Sequence, residues 1–333
     1  MSTNRTARLA ARPHGMVTQD IFAFADEPVP EPGEGEFLVK LEMYSIDPAM
    51  RGWINEGRSY VPPVGIGEVM RAIAGGIVVK SNHPGFAEGD AVTGLLGIQT
   101  YAVSDGQGIS KVDLDAASMD QWLGGLGMPG LTAYFGLLEV GQPKEGDTVV
   151  VSAASGAVGS IVGQIAKLKG CRAVGIAGGP EKCAYVTDEL GFDACVDYKQ
   201  DGLFKALKAA CPDGIDVYFE NVGGEIGDAV LGQMNLFGRV AVCGLISGYN
   251  ATEAVPGPKN YFSILVNRLN VRGFIVFDFL KQYPEGIKQL GAWNKAGKLK
   301  FRQDVREGGV DAYPETLNLL FSGGNNGKLV LKA

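Results

Sequence analysis

Histidine is almost missing from this chain of 333 residues, which holds only His14 and His83. A Ser-His-Asp hydrolase would have to take its base from one of these two, and no Gly-x-Ser-x-Gly elbow accompanies either. His83 stands in Ser81-Asn82-His83-Pro84-Gly85, which reads as a surface turn. Cysteine is scarce as well. The five are Cys171, Cys183, Cys195, Cys211 and Cys243, an odd number without a Cys-x-x-Cys pair, so neither a disulfide framework nor a zinc ribbon is expected. Free thiols fit a reducing, cytoplasmic setting. A catalytic zinc wants Cys or His ligands, and no cysteine precedes Cys171, so no metal is expected. No tyrosine is followed by a lysine four positions later, which removes the Tyr-x-x-x-Lys pair of the short-chain dehydrogenases.

An excess of positive charge is lacking too. Lys plus Arg number 30 against 37 for Asp plus Glu, a net charge of −7, and no basic block occurs, so a nucleic-acid partner is not expected. The one long uncharged run, residues 148–166, carries Gly156, Gly159, Gly163 and Gln164, and reads as strand, turn and helix rather than a membrane span. The start, Met1-Ser2-Thr3-Asn4-Arg5, leads into a stretch punctuated by Pro and Gly, so a secretory signal is not expected.

What is abundant is glycine, 49 residues, about twice the usual share. Up to about residue 125 short strand-like runs alternate with Pro and Gly clusters, which predicts a small irregular β-barrel. From about residue 145 the rhythm changes to apolar strands alternating with helical stretches. Strands are expected at 149–152, 173–177, 194–197, 216–220, 240–244 and 271–277, forming one doubly wound parallel sheet. The segment Lys328-Leu329-Val330-Leu331 reads as a strand returning to the first lobe. The fold class expected is therefore α/β, with residues 1–125 and 305–333 forming one domain and 126–304 the other.

One motif carries most of the weight. Val149-Val150-Val151-Ser152-Ala153-Ala154-Ser155-Gly156-Ala157-Val158-Gly159 follows a buried strand and opens a helix in which Ile161, Ile165 and Leu168 recur at helical spacing. In the dinucleotide fingerprint the second glycine lets backbone approach a diphosphate and the third lets the helix pack on the strand; here these are Gly156 and Gly159, with Ala154 in the first slot. The amides and the positive end of the helix dipole favour an anion there. An NAD site wants an acid at the end of the second strand, where this chain has Ile176-Ala177-Gly178-Gly179 and no acid before Glu181. The small residues leave room for a 2′-phosphate, Lys182 supplies a cation, and the hydroxyl of Tyr198 can cover the same group, so NADP(H) is expected over NAD(H). Plain alternatives stand beside these readings: a turn that only links strand to helix, and a solvated lysine.

What remains for the chemistry is hydride transfer with no metal polarising the substrate. Delivery to the β-carbon of an enone moves charge onto the carbonyl oxygen, which needs a donor in a dry site. Tyr249, in Cys243-Gly244-Leu245-Ile246-Ser247-Gly248-Tyr249-Asn250, falls at the carboxyl edge of the sheet and is the candidate catalytic residue, with plain packing as the alternative.

Taken together these residues resemble the zinc-independent medium-chain dehydrogenases/reductases of the leukotriene B4 dehydrogenase, prostaglandin reductase and alkenal double-bond reductase group. The resemblance spans nearly the whole chain. It rests on Ser45-Ile46-Asp47-Pro48, Met50-Arg51, Gly127-Met128-Pro129-Gly130-Leu131-Thr132-Ala133-Tyr134, Ser155-Gly156-Ala157-Val158-Gly159-Ser160, Gly163-Gln164-Ile165-Ala166-Lys167, Asn221-Val222-Gly223-Gly224-Glu225, Cys243-Gly244, Tyr249-Asn250 and Gly327-Lys328. It implies a GroES-like barrel plus a Rossmann domain, usually paired as a homodimer, and NADPH-dependent reduction of α,β-unsaturated ketones and aldehydes. It also implies cofactor contacts at Gly156, Ala157, Val158 and Gly159, at Lys182 and Tyr198, and at Asn221. On the nicotinamide side it implies Cys243, Gly244, Ile246, Ser247 and Tyr249, a strand Phe274-Ile275-Val276, and Asn325. Zinc-dependent relatives would show His-Glu where this chain has Gly67-Glu68.

One departure matters. Many members have Asp-Pro-Tyr-Met-Arg where this chain has Asp47-Pro48-Ala49-Met50-Arg51, which should enlarge or reshape the pocket. Tyr44, Tyr60, Met128 and Tyr261 are candidates for the pocket wall, with core packing as the alternative. The expected activity is that of an NADPH-dependent ene-reductase on a small unsaturated carbonyl substrate. A quinone reductase and a non-catalytic NADPH-binding protein stay open beside it.

Overall fold

Val149, Val150 and Val151 have no exposed surface, and such an uninterrupted apolar run belongs to a strand covered on both faces, as in parallel sheets with helices on either side. The computed structural model describes residues 3–333; Met1 and Ser2, the first residues of the segment read as lacking a secretory signal, lie outside them. In chain order the strands are β1 (Thr3–Leu9), β2 (Phe22–Pro28), β3 (Phe37–Ser45), β4 (Ile73–Ser81), β5 (Ala91–Leu95), β6 (Tyr101–Ser104) and β7 (Ser110–Lys111). There follow β8 (Thr148–Ser152), β9 (Arg172–Ala177), β10 (Ala194–Asp197), β11 (Ile215–Glu220), β12 (Met234–Val242), β13 (Asn270–Gly273), β14 (Gln303–Arg306) and β15 (Lys328–Lys332). Two compact units result, one running to Gly124 and resuming at Gln303–Ala333, the other spanning Gly125–Arg302.

The second unit holds a six-stranded sheet ordered β10-β9-β8-β11-β12-β13 in which every pairing is parallel. The strand order reverses between β8 and β11. The crevice beyond the carboxyl ends of two such strands is where doubly wound sheets bind ligands. Ser152 and Glu220, the last residues of β8 and β11, therefore stand at that point.

Two strand ends differ from expectation. β12 begins earlier and stops at Val242, so Cys243 and Gly244 lie in the following loop. β13 stops at Gly273, and the expected strand Phe274-Ile275-Val276 is instead a bend that enters the tight turn Val276–Gln282. The cause is local. The Asp278 carboxylate accepts the Ile275 N–H at 3.2 Å while the Asp278 N–H donates to the Ile275 carbonyl at 2.9 Å, and these bonds replace ladder bonds.

In the first unit β3 is the hub, pairing antiparallel with β4, β6 and β15. Together with β5, β7 and β14 these make a seven-stranded sheet. A separate ribbon, β1 with β2, bridges the segments that lead into β6 and β4, at Thr6 with Gln99 and Arg8 with Val69. The expected barrel takes this form, a mixed sheet plus a ribbon. β15 brings Lys328 against Asp47, with Nζ 2.8 Å from Oδ1 and 2.9 Å from the Ile46 carbonyl, and both side chains are buried. Burial pushes the Lys328 pKa down and the Asp47 charge opposes that shift.

Tyr44 corrects the pocket-wall expectation. It is wholly buried in the apolar core of this unit beside Leu41, Ile46 and Met50, and its hydroxyl donates to the Gln99 carbonyl at 2.6 Å. Its position on β3 faces the core, so the alternative reading, plain packing, is the correct one. Burial raises its pKa well above the usual phenol value. No helix of the described residues is long and apolar enough to cross a membrane.

Candidate active site

The turn after β8 is folded tightly on itself. Ala153 adopts the left-handed backbone at φ 52°, Ala154 N–H donates to the Ile176 carbonyl at 3.0 Å, and Gly156 N–H donates to the Ala153 carbonyl at 2.9 Å. A methyl group built on Gly159 would sit 2.3 Å from the Ala153 carbonyl oxygen, so only glycine fits where the helix Gly159–Leu168 departs. On Gly156 it would lie 3.2 Å from the same oxygen. Ala157 and Val158 complete the turn, and Val158 stands just before the helix without a side-chain capping bond. The backbone is thus held close at the positive end of a ten-residue helix, a cradle that suits a diphosphate.

Beyond the end of β9, Gly178 and Gly179 lead into the short helix Pro180–Ala184, where Lys182 is half-buried. Tyr198 N–H donates to the Ala177 carbonyl at 3.1 Å, and its ring lies against Gly178: a methyl group there would be 2.9 Å from the ring and 3.0 Å from the hydroxyl. Two residues missed by sequence reasoning join them. Lys199 brings its Cε within 3.1 Å of the same point, a second cation at this edge. Asp197 contributes an acid from the neighbouring strand, although none was expected here. Its Oδ1 accepts the N–H groups of Gly179 at 2.8 Å and Lys199 at 3.0 Å, and the Gly179 bond, above all, holds its carboxyl below the usual carboxylate range. The signal was available in the register, since Asp197 pairs with Ala177.

At the switch point Asn221 is tied to β8 twice: its backbone N–H donates to Ser152 Oγ and its side-chain amide to the Ser152 carbonyl, both at 2.8 Å. The loop after β12 hangs on the same turn. Cys243 and Gly244 donate to the Glu220 carbonyl at 2.9 and 3.0 Å, Ile246 N–H to the Asn221 carbonyl at 3.2 Å, and the Ser247 hydroxyl to the Val222 carbonyl at 2.6 Å. Against this loop opens a cavity of about 440 Å³ lined by Val242, Cys243, Gly244, Leu245, Tyr249, Gly273, Phe274, Ile275 and Asp278. It brings together five of the expected residues: Cys243, Gly244, Tyr249, Phe274 and Ile275. The Tyr249 oxygen accepts the Leu245 N–H at 3.3 Å, and a methyl group built on Gly244 would lie 3.2 Å from that same oxygen, a tight contact. Burial pushes the Cys243 thiol up to about 12, with the nearby Glu220 charge adding to it, so at neutral pH it is wall rather than nucleophile.

The remaining candidates are not on that wall. Val276 is buried beside it, and Ile246 and Ser247 form the turn behind it. Tyr261 lies on the surface, two-thirds exposed. Met128 is half-buried at the start of the helix Met128–Phe135. In the other unit, Tyr60 accepts the Trp53 indole N–H at 2.9 Å and Asn325 donates to the Gly327 carbonyl at 3.0 Å.

Residues 5–112 match a family model described as the N-terminal domain of oxidoreductase, and residues 157–292 one described as zinc-binding dehydrogenase. Among the described residues no three His, Cys, Asp or Glu side chains converge as a metal-ligating group. The chain is 46% identical over 335 residues to the NADPH-dependent curcumin reductase of Escherichia coli (strain K12), covering 99% of this chain and 96% of that one. It is 44% identical to the NADP(+)-dependent 2-alkenal reductase of Nicotiana tabacum, covering 91% and 88%. Among solved structures, CurA in complex with NADPH from Vibrio vulnificus superposes with a TM-score of 0.94 at 44% identity, covering 99% of both chains.

Proposed function

The chain belongs to the zinc-independent medium-chain dehydrogenases/reductases, and from that premise we propose that it reduces the C=C bond of α,β-unsaturated ketones and aldehydes, adding hydride at the β-carbon. It is an NADP-dependent oxidoreductase of the double-bond-reducing kind. When bound, NADPH supplies the hydride. The rest falls to side chains and backbone of the unit Gly125–Arg302. The turn at residues 153–159 holds the diphosphate, and Lys182, Tyr198 and Lys199 hold the 2′-phosphate. Asp197 is kept off that phosphate by spending its charge on Gly179 and Lys199.

The observation that carries the reading is the cavity wall: one phenol, Tyr249, among Val242, Cys243, Phe274 and Ile275, with the Asp278 carboxylate on the same wall accepting the Ile275 N–H. Negative charge grows on the substrate carbonyl oxygen during the addition. A phenol donor aimed at that oxygen stabilises it, the more so once bound cofactor and substrate exclude water from the apolar wall. Solvent then protonates the α-carbon. The domain completed by residues 303–333 is assigned to the substrate side. The protein is proposed to act in the cytoplasm as a homodimer, for which the exposed strand β13 and the exposed apolar helix Phe262–Val266 offer a surface.

The test is NADPH consumption against a panel of enones, enals and quinones, with NADH as comparator. Expected are enone turnover, a preference for NADPH of at least about tenfold, and a loss of about ten- to a hundredfold in kcat in Tyr249→Phe. Turnover with quinones alone overturns the substrate class, and unchanged turnover in Tyr249→Phe removes the assigned role.

A further inference from the structure

Glu220 is a buried carboxylate, 5% exposed, that makes no ion pair among the described residues. Its partners are neutral donors. The single oxygen Oε1 accepts the Ser152 hydroxyl at 2.9 Å and the N–H groups of Val222 at 2.7 Å and Gly223 at 2.9 Å. Oε2 points at the helix Gly224–Leu231, whose positive end favours the charge; a methyl group on Gly227 would meet it at 2.6 Å. Tyr218, two residues earlier on β11, and Cys243 flank it, and its charge adds to the burial that raises both of their pKa values.

Burying an anion is costly, and a glutamine could accept the same bonds at lower cost. Oε1 receives three donors and so can only accept, and the negative charge strengthens each of those bonds beyond what a glutamine oxygen would give. The Ser152 oxygen accepts the Asn221 N–H at 2.8 Å, so its own proton turns to Glu220 at 2.9 Å, with the Phe219 carbonyl a longer second acceptor at 3.4 Å. The backbone N–H groups of Asn221, Val222 and Gly223 set the direction of the network, and the charge adds to its strength. Its reach is long, because Ser152 leads directly into the diphosphate turn while the carbonyls of Glu220, Asn221 and Val222 suspend the loop at residues 243–249.

We propose that Glu220 is a positioning residue of the cofactor site: acting through Ser152, it fixes the turn at residues 221–223 and so the spacing between the diphosphate cradle and the loop that carries Tyr249. The proposal rests on the cofactor-site reading above and on no contact with substrate.

The test is an NADPH fluorescence titration with Ser152→Ala, Glu220→Gln and Glu220→Ala, alongside steady-state kinetics at a temperature where circular dichroism shows each variant folded. Expected is a rise in the Kd for NADPH of about five- to twentyfold in Ser152→Ala, less in Glu220→Gln, which keeps the acceptor, and more in Glu220→Ala. The KM for the enone at saturating NADPH should stay within about twofold. If Glu220→Ala does not fold, Ser152→Ala decides alone. Wild-type NADPH affinity in Ser152→Ala would overturn the proposal, as would an equal rise in the enone KM. A wild-type protein that does not bind NADPH overturns the site itself, a separate failure.

Discussion

At Gly159 one hydrogen atom in place of a methyl group decides whether the helix can leave the strand at all. Replacing it with alanine pushes a carbon to 2.3 Å from the Ala153 carbonyl oxygen, and backbone cannot move aside as a flexible side chain would. Gly159→Ala is therefore expected to cost about 1–3 kcal/mol in urea unfolding and to weaken NADPH binding by more than tenfold. An affinity loss without any loss of stability would mean that the turn relaxes freely. The glycine was legible in sequence because its role needs a fixed spacing after a valine run. Glu220 was not, since an acid at a strand end has no signature until the fold shows that it is buried. Tyr44 misled for the opposite reason: an aromatic in a strand reads equally as wall or as core, and only its full burial separates the two.

Elements were readable in proportion to how completely they are buried. β8 announces itself through the unbroken run Val149-Val150-Val151, and β11 through Val217-Tyr218-Phe219. β1 and β2 do not, because their ribbon alternates apolar positions with Arg5, Arg8, Asp26 and Glu27, which pair across it at its surface. β13 is exposed at every residue, so its end is set by a side-chain bond from Asp278 that composition hides. The junction of β9 and β10 yields a prediction for acid. Asp197 has a folded pKa below its unfolded value, so its contribution to stability is complete above about pH 4 and is lost as pH falls through the lower, folded value. Asp197→Asn should be less stable than the parent at pH 7, with the gap narrowing on acidification. Urea midpoints at intervals from pH 7 to pH 3 check this; a gap that stays constant would show that the carboxylate is not responsible.

Among the described residues one stretch of sequence holds several exposed large apolar side chains together, with Tyr261, Phe262 and Leu265 each about two-thirds exposed and Val266 about half exposed. Isolated apolar side chains on a surface need no explanation, but a run of them beside an unpaired strand edge does. Leu265→Asp is expected to convert a dimer to monomer in light scattering while leaving the far-ultraviolet spectrum unchanged. A wild-type protein that is already monomeric would remove the homodimer from the account.

The pairing of β15 with β3 joins residues very distant in the chain: Lys328 and Asp47 are 281 positions apart. During translation the ribosome delivers the whole Rossmann unit before that partner exists. Until β15 emerges, β3 has a bare edge and Asp47 lacks its lysine, and that interval is the one in which chaperones or wrong neighbours can reach the first lobe.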